Sequence, residues 1–213
     1  MRALASGLVA WLLCLAAALA GASARAQETP DPAQALAGSA LAAALKQGGF
    51  VIYFRHADTG PPVAEPAGFD LARCETQRNL NDDGRAQARD IGVQFRRLEI
   101  PVGSVLSSEF CRCWQTAELA FGRYQKTSDL SGVPRGSQWD ELREQRAGAL
   151  RRLLSSPPPA GQNAVLVSHG FNLWDLERFH LGTQGEAAVY RPDGRGAYAL
   201  VARVLPQDWA QLR

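Results

Sequence analysis

Two short runs constrain the fold more than any other part of the chain. Phe50-Val51-Ile52-Tyr53-Phe54 and Ala164-Val165-Leu166-Val167-Ser168 are continuous, apolar and β-prone. A strand with one wet face alternates apolar with polar residues. A run without alternation fits a strand buried on both faces, at the centre of a parallel sheet covered by helices.

The segments around these runs suit that arrangement. Residues 33–47 carry Ala and Leu at helical spacing, with Asp31 as a cap and Gly48-Gly49 as a stop. Asn79-Leu80-Asn81-Asp82-Asp83-Gly84 starts a second helix that reaches about Leu98. Val102 to Ser107 is a second strand, 112–121 a helix ended by Gly122, and 140–154 a charged helix ended by three prolines. Residues 187–190 and 198–202 are strands joined through Pro192-Asp193-Gly194, a turn that makes them an antiparallel hairpin. The stretch 123–138 is polar and irregular, and 59–69, with its prolines and glycines, is a loop. The fold class is therefore α/β: a three-layer αβα sandwich with a mostly parallel central sheet and a C-terminal antiparallel hairpin.

In such a sheet functional groups collect at the carboxyl ends of the strands. The first strand ends in Arg55-His56-Ala57-Asp58, the second in Ser107-Ser108 with Arg112 just beyond, and the third in Ser168-His169-Gly170. The chain has three histidines, and two of them lie at these ends. One such residue is usually structural. Several on one edge are different, because an arginine beside a buried strand costs desolvation unless an anion pairs with it. Two guanidinium forks suit a phosphate dianion.

These residues carry a family resemblance. Arg55-His56-Ala57 resembles the Arg-His-Gly motif of the histidine phosphatase superfamily, branch 1 (phosphoglycerate mutase-like), with alanine in place of glycine. In the right order follow Leu80 to Ala88, similar to the family's Leu-x-x-x-Gly-x-x-Gln-Ala helix start, and Ser107 to Ala117, similar to its Ser-Ser-x-x-x-Arg-x-x-x-Thr-Ala segment. Val165 to Leu173 resembles the second-histidine motif. The resemblance implies a phosphomonoesterase in which His56 attacks phosphorus and Arg55, Arg112 and His169 hold the non-bridging oxygens. Chemistry agrees: a neutral imidazole is a good nucleophile near pH 7, and fixed cations stabilise the moving charge. No metal or other cofactor is called for. By the same analogy, Asn172 or the backbone near Gly170 lines the pocket.

The leaving oxygen needs a proton, and three carboxylates compete to supply it. Glu144 lies in a Glu-x-x-x-Gly segment resembling the acid motif of some members, yet a glutamate on a charged helix is usually solvated. Glu186 begins a strand that, if antiparallel to the central ones, starts at their carboxyl edge, and it is preferred for that reason. Asp58 is the third, with a loop hydrogen-bonding role at least as natural.

The N-terminus reads as a secretory signal: Arg2, an apolar run from Leu8 to Ala20, then Ala24-Arg25-Ala26 with cleavage after Ala26. At about 13 residues the run is short for the ~20 of a membrane span. The domains are then a signal at 1–26 and one histidine phosphatase-like domain at 27–213. Export implies a periplasmic or secreted protein in an oxidising compartment, where Cys74 pairs with Cys111 or Cys113. Removing the signal takes away Arg2 and Arg25 and no acidic residue, bringing the formal charge from +2 to zero. That balance argues against a nucleic-acid partner. A small-molecule phosphate ester is the expected partner. The alternative is a phosphate-ligand binding protein of this fold whose catalysis has lapsed. Mutase activity on a cytosolic phosphoglycerate conflicts with export.

Overall fold

The computed structural model describes residues 35–61 and 63–213, so the expected signal, leader and Asp31 cap lie outside the described residues. Six strands form one sheet in the order β3-β2-β4-β1-β5-β6. They are β1 Val51–Arg55, β2 Val102–Ser107, β3 Gln125–Lys126, β4 Asn163–Ser168, β5 Ala187–Pro192 and β6 Tyr198–Val204. Strands β1, β2, β3 and β4 are mutually parallel, whereas β5 runs antiparallel to β1 and forms the expected hairpin with β6.

Alternation along β1 divides the core in two. Ile52 and Phe54 face one side with α1 (Gly38–Gln47), α2 (Asp82–Arg97) and α3 (Cys111–Phe121). Val51 and Tyr53 face the other, with α4 (Asp140–Ser155) and α5 (Gly170–Glu177). That is the three-layer sandwich. Among the described residues no helix is long and apolar enough to cross a membrane.

Local chemistry explains most boundaries. The Asn81 side chain caps α2 by accepting from the Gly84 N–H at 2.7 Å, and Gly122 closes α3 in the left-handed conformation. Helix α1 begins later than its Ala and Leu spacing predicts. The Leu36 N–H donates to the Val201 carbonyl at 2.8 Å, so the chain there runs extended beside β6. The short helix α5 was not expected from sequence. No side chain caps it, its first turn has no acidic residue, and it spans only eight residues. The irregular stretch after α3 holds the two-residue edge strand β3 and 3-10 turns, and buries Leu130. The C-terminal 3-10 turn Pro206–Gln211 carries Trp209, fully buried against Phe54 and Phe95.

Helix α2 is set against the loop that follows β1 at Gly84. A Cβ there would lie 2.0 Å from the Asp58 carbonyl oxygen. Gly84→Ala should therefore push the helix away from residues 57–58. The expected loss is about 1–3 kcal/mol of stability in a urea titration, as for overpacking, together with reduced turnover.

Candidate active site

Backbone pairing brings the four expected residues together. The His56 N–H donates to the Ser168 carbonyl at 3.0 Å, which fixes the end of β1 beside the end of β4. The two imidazoles face each other edge to plane with ring centroids 5.7 Å apart. Both histidines and Arg112 are buried.

Each side chain is oriented by neighbours. His56 Nδ1 lies 2.8 Å from the Ala57 carbonyl oxygen. A carbonyl can only accept, so Nδ1 carries the proton and Nε2 holds the lone pair. The Thr116 hydroxyl accepts from the Ala57 N–H at 3.0 Å and donates to the Arg112 carbonyl at 2.6 Å, linking the His56 loop to α3. The Arg112 guanidinium lies over the Phe110 ring, its carbon 4.5 Å from the centroid. Its Nη2 donates to His169 Nδ1 at 3.3 Å, which assigns the other ring proton to Nε2, 2.9 Å from Ser108 Oγ. The Tyr53 hydroxyl holds the His169 carbonyl at 2.7 Å. Arg55 enters from the opposite side, donating through Nη1 to the carbonyls of Leu181 at 3.0 Å and Gly182 at 2.5 Å.

The site contains a third guanidinium that the motifs did not point to. Arg78 donates through Nη1 to Thr59 Oγ1 at 2.5 Å, and its carbonyl accepts from Arg112 Nη1 at 3.3 Å. Burial, then the neighbouring charges of Arg78 and Arg112, pull Arg55 below its ordinary range; burial and Arg112 do the same to Arg78. Among the described residues the buried Nε atoms of Arg78 and Arg112 have no hydrogen-bond partner. Unsatisfied buried donors of this kind suit an oxyanion. A disulfide between Cys74 and Cys111 joins the Arg78 segment to the start of α3, and Gln77 Oε1 accepts from the Cys111 N–H at 2.9 Å. Had Cys74 been paired with Cys111 from sequence, Arg78 would have been placed beside Arg112. Cys113 is free and buried beside His169, and burial pushes its thiol up to about 12.

The carboxylates fall out differently from expectation. Glu186 does start β5 beside β1, with its carbonyl accepting from the Arg55 N–H at 3.0 Å. Its side chain, however, is buried and turned to Arg203, whose Nε and Nη2 donate to Oε1 at 2.8 and 2.5 Å. Oε2 accepts from the Thr183 N–H at 3.1 Å, so both oxygens are held by partners other than His56, Arg112 and His169. Asp58 is a loop hydrogen-bonder, accepting from Gln184 at 2.9 Å and Asn81 at 2.7 Å. Glu144 lines a separate cleft of about 360 Å³ with Arg135, Arg143 and Asp175. Asn172 directs its amide to the carbonyls of Leu130 and Ser131. Gly170 is needed for close packing, since a Cβ there would lie 2.9 Å from the Leu181 carbonyl oxygen. The carboxylate that reaches the cations is Glu65, from the loop after β1. Its Oε1 is 2.6 Å from Arg112 Nη1, and its Oε2 accepts from the Arg78 N–H at 3.1 Å.

Residues 52–153, which include His56 and Arg112, match the family model of the histidine phosphatase superfamily (branch 1). That segment is of the histidine phosphatase superfamily. Its fold resembles the protein histidine phosphatase SixA complexed with tungstate, at 17% identity and TM-score 0.54, covering 75% of this chain and 98% of that one. It also resembles a phosphoserine phosphatase mutant from Entamoeba histolytica complexed with phosphoserine, at 15% identity and TM-score 0.51, covering 74% and 98%. A third neighbour is the Rv3214 open reading frame product of Mycobacterium tuberculosis, at 19% identity and TM-score 0.51, covering 72% and 96%. Comparison with curated protein sequences finds no match. At these identities the neighbours speak for the fold, and the superfamily supports phosphatase activity in general terms.

Two measurable consequences follow from the environment. Burial, and then the charge of Arg112, hold both His56 and His169 well below the usual imidazole range. Groups with a depressed folded value bind fewer protons folded than unfolded, so they stabilise the fold above about pH 6.5 and that contribution is lost as pH falls below it. The midpoint of urea unfolding should drop between pH 7 and 5, and His169→Asn should flatten the drop; an equal slope in that variant would contradict the assignment. Separately, replacing Cys74 and Cys111 together by serine should lower stability by about 2–4 kcal/mol. It should also raise KM for a phosphate ester more than it lowers kcat, because Arg78 and Arg112 lose their common anchor.

Proposed function

We propose that this protein is a phosphomonoesterase that works through a phosphohistidine on His56. The observation that carries the reading is the tautomer. With Nδ1 committed to the Ala57 carbonyl, Nε2 presents its lone pair at the arginine cluster, and the depressed basicity of the ring keeps that lone pair available. Arg55, Arg78 and Arg112 supply fixed donors for the non-bridging oxygens, where charge accumulates in the transition state. His169 joins them once the arriving dianion draws Arg112 Nη2 away from its Nδ1, because the anion favours the doubly protonated ring.

The substrate is a small phosphate ester, and export to the periplasm or beyond is part of the proposal. It rests on the Arg2 to Ala26 sequence and is in keeping with the Cys74–Cys111 disulfide. N-terminal sequencing of the protein recovered from the cell envelope should begin at Gln27.

Rapid acid quenching during hydrolysis of p-nitrophenyl phosphate, followed by peptide mass spectrometry under alkaline conditions, should find the phosphoryl group on His56. His56→Ala should lower turnover by about 10³-fold or more with an unchanged circular dichroism spectrum. Undiminished turnover would reject the mechanism. Tight vanadate binding with no turnover in the unaltered protein would favour the lapsed-enzyme alternative.

A further inference from the structure

Building on the phosphohistidine reading, we propose that Glu65 is the general acid and base of this site, so that the enzyme takes esters of poor, weakly acidic leaving alcohols. Glu65 comes from the loop between β1 and α2, and three contacts fix where its carboxylate stands. Oε1 is 2.6 Å from Arg112 Nη1, Oε2 accepts from the Arg78 N–H at 3.1 Å, and Oε1 lies 3.9 Å from Arg78 Nε. The loop is pinned on its far side by Phe69, which packs on Phe110 with centroids 5.5 Å apart. Phe110 in turn lies under Arg112 and 4.9 Å, centroid to centroid, from the His169 ring. Glu65 is therefore a carboxylate at the arginine cluster, paired with the guanidinium of Arg112 and the backbone N–H of Arg78. The Glu186 carboxylate is paired with Arg203 and that of Asp58 with the side-chain amides of Gln184 and Asn81, neither of them with Arg112, and that of Glu144 is in another cleft.

Position and charge together define the role. A phosphate ester bound at Arg112 displaces Oε1 from its donor and sets the Glu65 carboxyl group beside the ester oxygen. In the first step His56 Nε2 forms the P–N bond while the P–O ester bond breaks. The departing electron pair stays on the ester oxygen, which takes the proton of Glu65 and leaves as the alcohol. In the second step the Glu65 carboxylate takes one proton from water, whose oxygen bonds to phosphorus as the P–N bond breaks. The electron pair returns to Nε2, inorganic phosphate is formed, and Glu65 is again protonated.

The test is the dependence of kcat/KM on leaving-group acidity in substituted aryl phosphates, from p-nitrophenyl to p-methoxyphenyl, which share one shape. This parameter reports the first phosphoryl transfer and is blind to the later hydrolysis. The unaltered protein should show a shallow dependence. In Glu65→Gln the preference for p-nitrophenyl over p-methoxyphenyl phosphate should steepen by about 10²-fold, with Glu65→Asp recovering part of the difference. A Glu65→Gln variant whose rates all shift by one common factor, up or down, would show that Glu65 merely occupies the cavity and would overturn the proposal. Failure of the unaltered protein to hydrolyse any of these esters, with no label on His56, would instead overturn the phosphohistidine reading on which it rests.

Discussion

Three guanidiniums, that of Arg112 buried and those of Arg55 and Arg78 half-buried, meet at one site, and the rest of the site is organised around their mutual repulsion. Arg55, Arg78 and Arg112 each lie close enough to depress the proton affinity of a neighbouring cation or imidazole. Like charges in low dielectric repel strongly, so they stay together only where the scaffold forbids their separation. The scaffold does so with local devices. Leu181 and Gly182 carbonyls hold Arg55, the Phe110 face holds Arg112, and the disulfide and Thr59 hold Arg78. Burial first, and then the charge of Arg112, keeps both imidazoles neutral, and for His56 that is the form a nucleophile requires.

How far this could be read from the sequence depended on whether the signal was local. The unbroken apolar runs of β1 and β4, the Asn81 cap and Gly122 are short-range signals, and the elements they specify lie within a few residues of expectation. Arg55, His56, Arg112 and His169 were legible because strand ends in a parallel sheet must share an edge. Arg78 and Glu65 were not, since each reaches the cavity from an irregular segment whose path is set by long-range contacts: the Cys74–Cys111 bond for one and the Phe69–Phe110 contact for the other. Glu186 shows the limit from the other side. Its backbone position followed correctly from strand direction, but nothing in the local sequence tells that a carboxylate at the start of β5 will turn to Arg203 on β6.

Thr116 and Ser108 show why the motif residues form a single unit. Thr116 ties the loop after β1 to the first turn of α3, and Ser108 ties the end of β2 to His169. A shift of any one strand end is therefore felt at the other two, and the buried Tyr53 and Gln77 bonds extend that coupling into the core and the Arg78 segment.

The ion pair between Glu65 and Arg112 also bears on how a catalytic cycle closes. A cavity lined by so many cations would bind inorganic phosphate as readily as an ester, and product escape from it would be slow. A tethered carboxylate waiting at the rim changes that balance, because it can take over the Arg112 donor as the phosphate departs. Egress then becomes an exchange of one anion for another, and the arginine cluster is never left without a counter-charge.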